Sequence, residues 1–139
     1  MNVLVDTSVW SLALRRRAHD LSTTEKATVD ELAELIDEGR ARIIGLVRQE
    51  LLSGIKAPGQ FDKLRAILRS FPDEHLETAD YESGASAANE CIGTGLAVSV
   101  SDMLICSVAH SRGWAIFSTD PDFKRYAAVL SLKSHAVRK

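Results

Sequence analysis

The sequence is short of cysteine, of basic excess and of long apolar runs. Only two cysteines, Cys91 and Cys106, occur in 139 residues, which excludes a disulfide-stapled scaffold. Both lie in apolar segments and read as reduced, structural thiols of a cytoplasmic protein. No stretch approaches the roughly 18 consecutive apolar residues of a membrane span. The N-terminus has no basic stretch leading into a long apolar run, so no signal peptide is expected. Lysine and arginine total 17 against 19 aspartates and glutamates, a formal net charge of −2. Bulk charge therefore does not indicate a strongly basic nucleic-acid binder, and leaves only a local basic patch for that role. Internal repeats, low-complexity tracts and obvious linkers are absent. A chain of this length is expected to form one domain, residues 1–139, large enough to bury a core without staples.

What is present is an alternation of short apolar runs with helical patterns. Asn2 to Val5 reads as a buried strand, and Ser8 to Arg17 as a helix. In LSTTEKATVDELAELIDEG, Ser22 and Glu25 fit a capping box, Leu32, Leu35 and Ile36 recur at helical spacing, and Gly39 fits a C-terminal stop. ARIIG follows as a second strand, then LVRQELLSGI as a helix with Val47, Leu51 and Ile55 four apart. Pro58 and Gly59 break that helix, FDKLRAILRSF makes another, and Pro72 ends it. A weak strand is expected near His75 and Leu76, and an alanine-rich helix from Ala79 to Cys91. LAVSV reads as a strand, Asp102 to Ser111 as a buried helix, and WAIFS as the clearest late strand. Pro121 opens a short helix through Tyr126, and an edge strand is expected from Val129 to Leu132 before a basic tail. Strands that are continuous apolar runs belong to parallel sheets covered by helices on both faces. The expected fold is therefore α/β, a three-layer α/β/α sandwich around a central, mostly parallel sheet. Its ligand crevice would lie outside the C-terminal strand ends.

Acidic residues fall at that edge. Asp6 directly follows the first strand, Asp102 follows LAVSVS, and Asp120 follows WAIFST. Glu50 lies one to two helical turns beyond the second strand, and Asp122 two residues beyond Asp120. Each has a plain structural reading. Asp6 and Asp120 suit helix N-caps, Asp102 suits a capping box with Ser99, and Glu50 suits a solvated helix face. Together they raise an energetic problem, because two carboxylates about 5 Å apart repel by roughly 3 kcal/mol at an effective dielectric near 20. Either some are protonated or a divalent cation binds. An all-oxygen ligand set, with no histidine or cysteine at zinc spacing, selects a hard ion such as Mg²⁺ or Mn²⁺. Such a site suits phosphodiester hydrolysis.

The motifs VLVDTSVW, ELLSG from Glu50, SDMLI from Ser101 and STDPDF from Ser118, in that order and across essentially the whole chain, resemble the PIN domain family, specifically its VapC-type toxins. The resemblance implies a Mg²⁺- or Mn²⁺-dependent endoribonuclease with Asp6, Glu50, Asp102 and Asp120 as its acidic quartet. Asp6 and Asp102 are then the foremost metal ligands. Glu50 and Asp120 complete the site, directly or through water, and Asp122 is a fifth candidate beside its reading as a helix-start residue. Thr7, Ser8 and Ser118 occupy small hydroxyl positions that can hydrogen-bond the carboxylates. For Ser8 and Ser118, helix capping is an equal alternative.

The resemblance also implies a VapB-type antitoxin that wraps the toxin and places an arginine among the carboxylates. Trp10, Leu12 and Leu14 are candidates for its groove or for the core. Homodimerisation and a structured RNA substrate, transfer or ribosomal, are implied as well. For RNA phosphates the densest basic run is Arg15, Arg16 and Arg17, roughly 14 Å along the first helix from Asp6. Arg48, Arg112, Lys124 and Arg125 are candidates for the same rim, and solvated helix faces are the bland alternative. CIGTGLAVSVSD departs from the family in lacking a basic residue before its glycine, and His110 reads as a surface residue. Three alternatives stay open: a PIN nuclease of RNA processing outside any toxin pair, a PIN-like module that binds without cutting, and a receiver-like Mg²⁺-binding signalling domain. The last lacks the lysine it needs directly after the late strand, and a phosphatase would need a D-x-D where Asp6 is followed by Thr7-Ser8.

Overall fold

The computed structural model describes all residues, 1–139. Its sheet has four strands, β1 (Val3–Val5), β2 (Ala41–Arg42), β3 (Ala115–Phe117) and β4 (Lys133–Ser134), in the order β2-β1-β3-β4 and parallel throughout. The helices are α1 (Thr7–Leu14), α2 (Thr23–Asp37), α3 (Gly45–Leu52), α4 (Pro58–Leu68), α5 (Thr78–Gly93), α6 (Val100–Arg112) and α7 (Asp122–Leu130), with a 3₁₀ turn at Ala18–Asp20. The α/β expectation holds, with helices flanking a central parallel sheet. Val3, Leu4 and Val5 are each wholly buried, as expected of a strand covered on both faces. Trp10 packs on Phe71 with ring centroids 5.0 Å apart and donates its indole N–H to the Val5 carbonyl at 3.2 Å. The second helix starts and stops as its sequence dictates. Ser22 and Glu25 form the full capping box, and Gly39 takes the left-handed conformation at φ 71° just past the C-cap.

The chain leaves β1 for β2 on one side and later places β3 on the other. The strand order therefore reverses at the β1–β3 boundary, where open parallel sheets form their ligand crevice. Asp6 N–H donates to the Phe117 carbonyl at 2.9 Å, which carries the β1–β3 ladder one residue further and fixes Asp6 beside the end of β3.

Three expected strands are corrected. LAVSV is not a strand. Residues 94–99 form an irregular connection into the Ser99 N-cap of α6, and Val100 is 86% exposed. β1 is paired on both sides and β4 covers β3, and the segment, lying between α5 and α6, pairs with neither outer strand. The Ile43–Asp73 bridge is all that forms near the strand expected at His75 and Leu76. Residues 129–130 finish α7, Ser131 turns the chain at φ 56°, and the edge strand comes at Lys133–Ser134 instead. The first helix also ends earlier than expected, at Leu14, so Arg15 to Arg17 leave it.

The C-terminal segment is not a loose basic tail. His135 N–H donates to the Ile116 carbonyl at 2.8 Å, continuing the β3–β4 ladder. Glu31 on α2, 4% exposed, accepts hydrogen bonds from His135 Nε2 and from Arg138 Nε at 2.8 Å, and Arg138 also forks onto Glu38 at 2.9 and 3.0 Å. Burial pushes the Glu31 carboxyl up, but the hydrogen bonds from His135 and Arg138 outweigh it and hold the group below its ordinary value of 4.5. A depressed carboxyl contributes stability that is present above its ordinary value and lost as pH falls through the folded one. Glu31→Ala is expected to cost about 1–3 kcal/mol at neutral pH, with Tm falling by about 4 °C per kcal/mol. Thermal denaturation at neutral and acid pH checks this: the gap to wild type narrows below pH 4.5, and a gap that stays constant contradicts the ion-pair account.

Candidate metal centre at the C-terminal edge of the sheet

Asp6 ends β1 and caps α1, and its carboxylate is 5% exposed. Three donors converge on its Oδ2: the Ser8 hydroxyl at 2.8 Å, the Ser118 hydroxyl at 2.8 Å and the Ser8 N–H at 3.3 Å. Both hydroxyls in turn accept from the backbone of the β3–α7 turn, Ser8 Oγ from Thr119 N–H and Ser118 Oγ from Asp120 N–H, each at 3.0 Å. Of the two readings set out for Ser8 and Ser118, neither hydroxyl caps a helix: Asp6 is the cap of α1, α7 has no side-chain cap, and both hydroxyls bond Asp6 and the turn. The turn is held through these hydroxyls onto one oxygen of Asp6, and Oδ1 is left free of them.

The other acids come from helices that converge on this edge. Glu50, exposed on the second turn of α3, accepts from Thr7 Oγ1 at 2.9 Å and from Ser101 Oγ at 3.3 Å. Asp102 lies in the first turn of α6, where its N–H is capped by Ser99 Oγ at 3.1 Å. Its side chain accepts from the Tyr126 hydroxyl at 3.2 Å. Asp120 follows β3 and accepts the Asp122 N–H at 2.9 Å, opening α7, while Asp122 pairs with Arg125 one turn on. Carboxylate oxygens of Asp102, Asp120 and Asp122 all lie within 4.8 Å of one another. Asp6 is outside that trio but near enough to act on it. Burial first, then the charges of Asp6 and Asp120, push the Asp102 carboxyl above its ordinary value. Glu50 closes the ring through Thr7 and Ser101 and is not part of the trio.

The basic candidates divide. Arg48 does not rim the edge: its guanidinium is held by Asp73 at 2.9 Å and by the Leu68 and Phe71 carbonyls, where it ties α3 to the end of α4. Arg112 is likewise taken up by Asp80 and the His75 carbonyl, and Arg125 by Asp122. Arg16 faces Glu25 at 3.7 Å, while Arg15, Arg17 and Lys124 have no carboxylate partner. Trp10 and Leu12 are core residues, Leu14 is partly buried against them, and His110 is exposed as expected. Cys91 and Cys106 are free, buried thiols. Burial pushes Cys106 far up, so it is chemically inert.

Sequence reasoning missed Tyr126 and Ser101 as partners of the acids. Burial first, then the Asp102 charge, push the Tyr126 phenol up, which keeps it a donor. The signal was there in principle: α7 places Phe123 and Tyr126 on its buried face, and a buried phenol needs a hydrogen-bond partner.

The donor set fits a hard divalent cation, since it is all oxygen and rich in carboxylate, and burial, then the charges of Asp6 and Asp120, raise Asp102. The chain belongs to the PIN domain family, whose match spans residues 3–129. It is 26% identical over 140 residues to ribonuclease VapC11 of Mycobacterium tuberculosis, covering 98% of this chain and 99% of that protein. Solved structures with the same fold include VapBC2 of Rickettsia felis bound to a DNA fragment from its promoter (TM-score 0.72, 18% identity, 97% of this chain and 98% of that one). FitAcB of Neisseria gonorrhoeae is a second (TM-score 0.75, 17% identity, 96% of each chain).

A carboxyl raised by folding destabilises the native state progressively as pH rises from its ordinary value, here 3.8, and the full penalty is present above the folded value. Asp102→Asn is therefore expected to raise Tm in metal-free buffer at neutral pH, and to lack the further rise that Mn²⁺ is expected to give wild type. A lower metal-free Tm contradicts a carboxylate penalised by burial and neighbouring charge. Tyr126→Phe removes one hydroxyl and should weaken Mn²⁺ binding about 10-fold in calorimetric titration. Unchanged affinity means that the phenol does not orient Asp102.

Proposed function

We propose that residues 1–139 form one PIN domain acting as a Mg²⁺- or Mn²⁺-dependent endoribonuclease, the toxin of a VapBC-type toxin–antitoxin pair in the cytoplasm. The observation that carries this reading is the approach of Asp102, Asp120 and Asp122 to within 4.8 Å of one another beside buried Asp6, at the point where the strand order reverses. Asp102, Asp120 and the free oxygen of Asp6 would hold the cation, with Glu50 and Asp122 at its margins. A cation held there would supply charge stabilisation to a phosphodiester in its transition state and lower the pKa of water. Glu50, exposed and hydrogen-bonded by Thr7 and Ser101, would accept a proton from the attacking water. Ser8 and Ser118 hold Asp6 still, so the ring need not reorganise during reaction.

The partner reading rests on the company the fold keeps, since its structural neighbours include a toxin–antitoxin complex from Klebsiella pneumoniae as well as VapBC structures. A VapB-type antitoxin that set an arginine among these carboxylates would replace the cation's charge. A second copy of the chain is the proposed occupant of the open apolar groove of about 820 Å³ between α3, α5 and α6, where Tyr81 and Val100 are 58% and 86% exposed. The RNA is proposed to be a structured molecule, transfer or ribosomal, cut in single-stranded loops whose bases are accessible. Arg15 and Arg17 are proposed as outlying phosphate contacts. A PIN nuclease of RNA processing is the second reading, and it differs in having no neutralising partner.

Purified protein is expected to cut RNA with Mg²⁺ or Mn²⁺ and not with chelator. Asp6→Asn or Asp102→Asn should slow cutting by at least about 10²-fold while keeping the native circular dichroism spectrum. Cutting in chelator, or by either variant at the wild-type rate, overturns the assignment.

A further inference from the structure

A second cavity borders the acidic ring, and nothing in the reading above uses it. It holds about 350 Å³ between the C-terminal ends of β3 and β4, the start of α7 and the C-terminal segment. That volume is at the small end of the range for pockets that hold small organic groups, about 300–1,000 Å³. Ser118, Thr119 and Asp120 line it and also belong to the acidic ring, so the cavity adjoins the ring through these three residues. The walls are mixed. Phe117, Phe123 and Val137 give apolar faces, while Thr28 and Ser134 give hydroxyls. Lys124 stands on the lining without a carboxylate partner, an unneutralised cation within a turn of the acids.

The outer wall is the segment Ser134–Val137, and the fold fixes it at some expense. Glu31 is taken out of water to receive His135, within that wall, and Arg138, just past it, and Arg138 is fastened a second time to Glu38. His135 also sets its ring edge-on to Phe117, 5.3 Å between centroids, at the cavity floor. A buried charge network is weak evidence for stability as such, and in some proteins it specifies one arrangement. Here what it specifies is the position of the wall that closes this cavity.

An amphipathic slot with a free lysine, adjoining a site built for a phosphodiester, has the chemistry of a nucleotide subsite. Apolar faces take the base, hydroxyls meet its edge, and the cation meets a phosphate. Resting on the ribonuclease reading, we propose that this cavity receives the base of the RNA nucleotide adjoining the cleaved phosphate, with Lys124 on that nucleotide's phosphate. Glu31, His135 and Arg138 hold the wall that sets its width.

The test has one arm that does not depend on cleavage. Titrating the ¹⁵N-labelled protein with each of the four ribonucleoside 5′-monophosphates should shift the amides of Thr119, Lys124 and Ser134–Val137. Ala136→Trp, a change at an exposed lining residue, should abolish those shifts. Shifts confined elsewhere, or none, overturn the proposal. In the second arm, Ala136→Trp and Arg138→Gln are expected to raise KM for a single-stranded oligoribonucleotide about 10-fold with kcat within about twofold. Sequenced cleavage ends should show a changed base beside the cut. Wild-type KM and base preference in both variants overturn the subsite and leave the nuclease reading standing. Nucleotide shifts at these amides in a protein that cuts no RNA keep the subsite and sink the nuclease. Unchanged cutting with loss of neutralisation by the antitoxin shows instead that the slot belongs to the partner peptide, which also overturns the proposal.

Discussion

Mutual repulsion among carboxylates is the constraint around which this edge of the molecule is arranged. Asp6, Asp102, Asp120 and Asp122 come from two strand ends and two helix starts, and each close pair costs about 3 kcal/mol near 5 Å. The fold does not dissipate that cost by splaying them apart. It locks Asp6 with three donors on a single oxygen, lets burial and neighbouring charge raise Asp102, and sets Tyr126 as a neutral donor against it. Asp6, Asp102 and Asp120 have no arginine of their own, and only Asp122 is matched, by Arg125. Arg48 and Arg112, close in sequence to functional segments, are spent on carbonyl groups and on Asp73 and Asp80. The negative potential is thus preserved for something that binds.

Topology makes the convergence cheap. The β1–β3 ladder runs one residue past the last strand position, so the backbone itself sets Asp6 against the β3–α7 turn. The serine hydroxyls then translate that backbone position into side-chain position. Rigid elements holding short polar side chains give the preorganisation that charge stabilisation requires. Sequence-distant residues meet here because a parallel sheet gathers its strand ends on one side, whatever the lengths of the intervening helices.

Much of this was legible in the order of residues, for identifiable reasons. Strands buried on both faces announce themselves as apolar runs, so β1 and β3 were visible. Capping chemistry is local, so Ser22, Glu25 and Gly39 marked the second helix. The acids could be placed at the right edge because strand direction carries position with it. LAVSV misled because apolar content alone cannot tell a strand from an apolar connection: whether a sheet has a free edge is a property of the whole fold. Asp102 still reached the site, but from the first turn of α6 instead of from a strand end. Tyr126 and the Glu31–Arg138 anchor were illegible because their partners lie 24 and 107 residues away, and no local pattern records such pairings. The same holds for Arg48, whose carbonyl partners exist only once α4 is in place.

The most direct test of the central claim is anomalous diffraction at the manganese edge from crystals soaked in Mn²⁺. The account predicts a peak within bonding distance of Asp102 and Asp120, with the free oxygen of Asp6 turned toward it. A fully soaked crystal that binds manganese elsewhere and leaves these aspartates without a peak would contradict it.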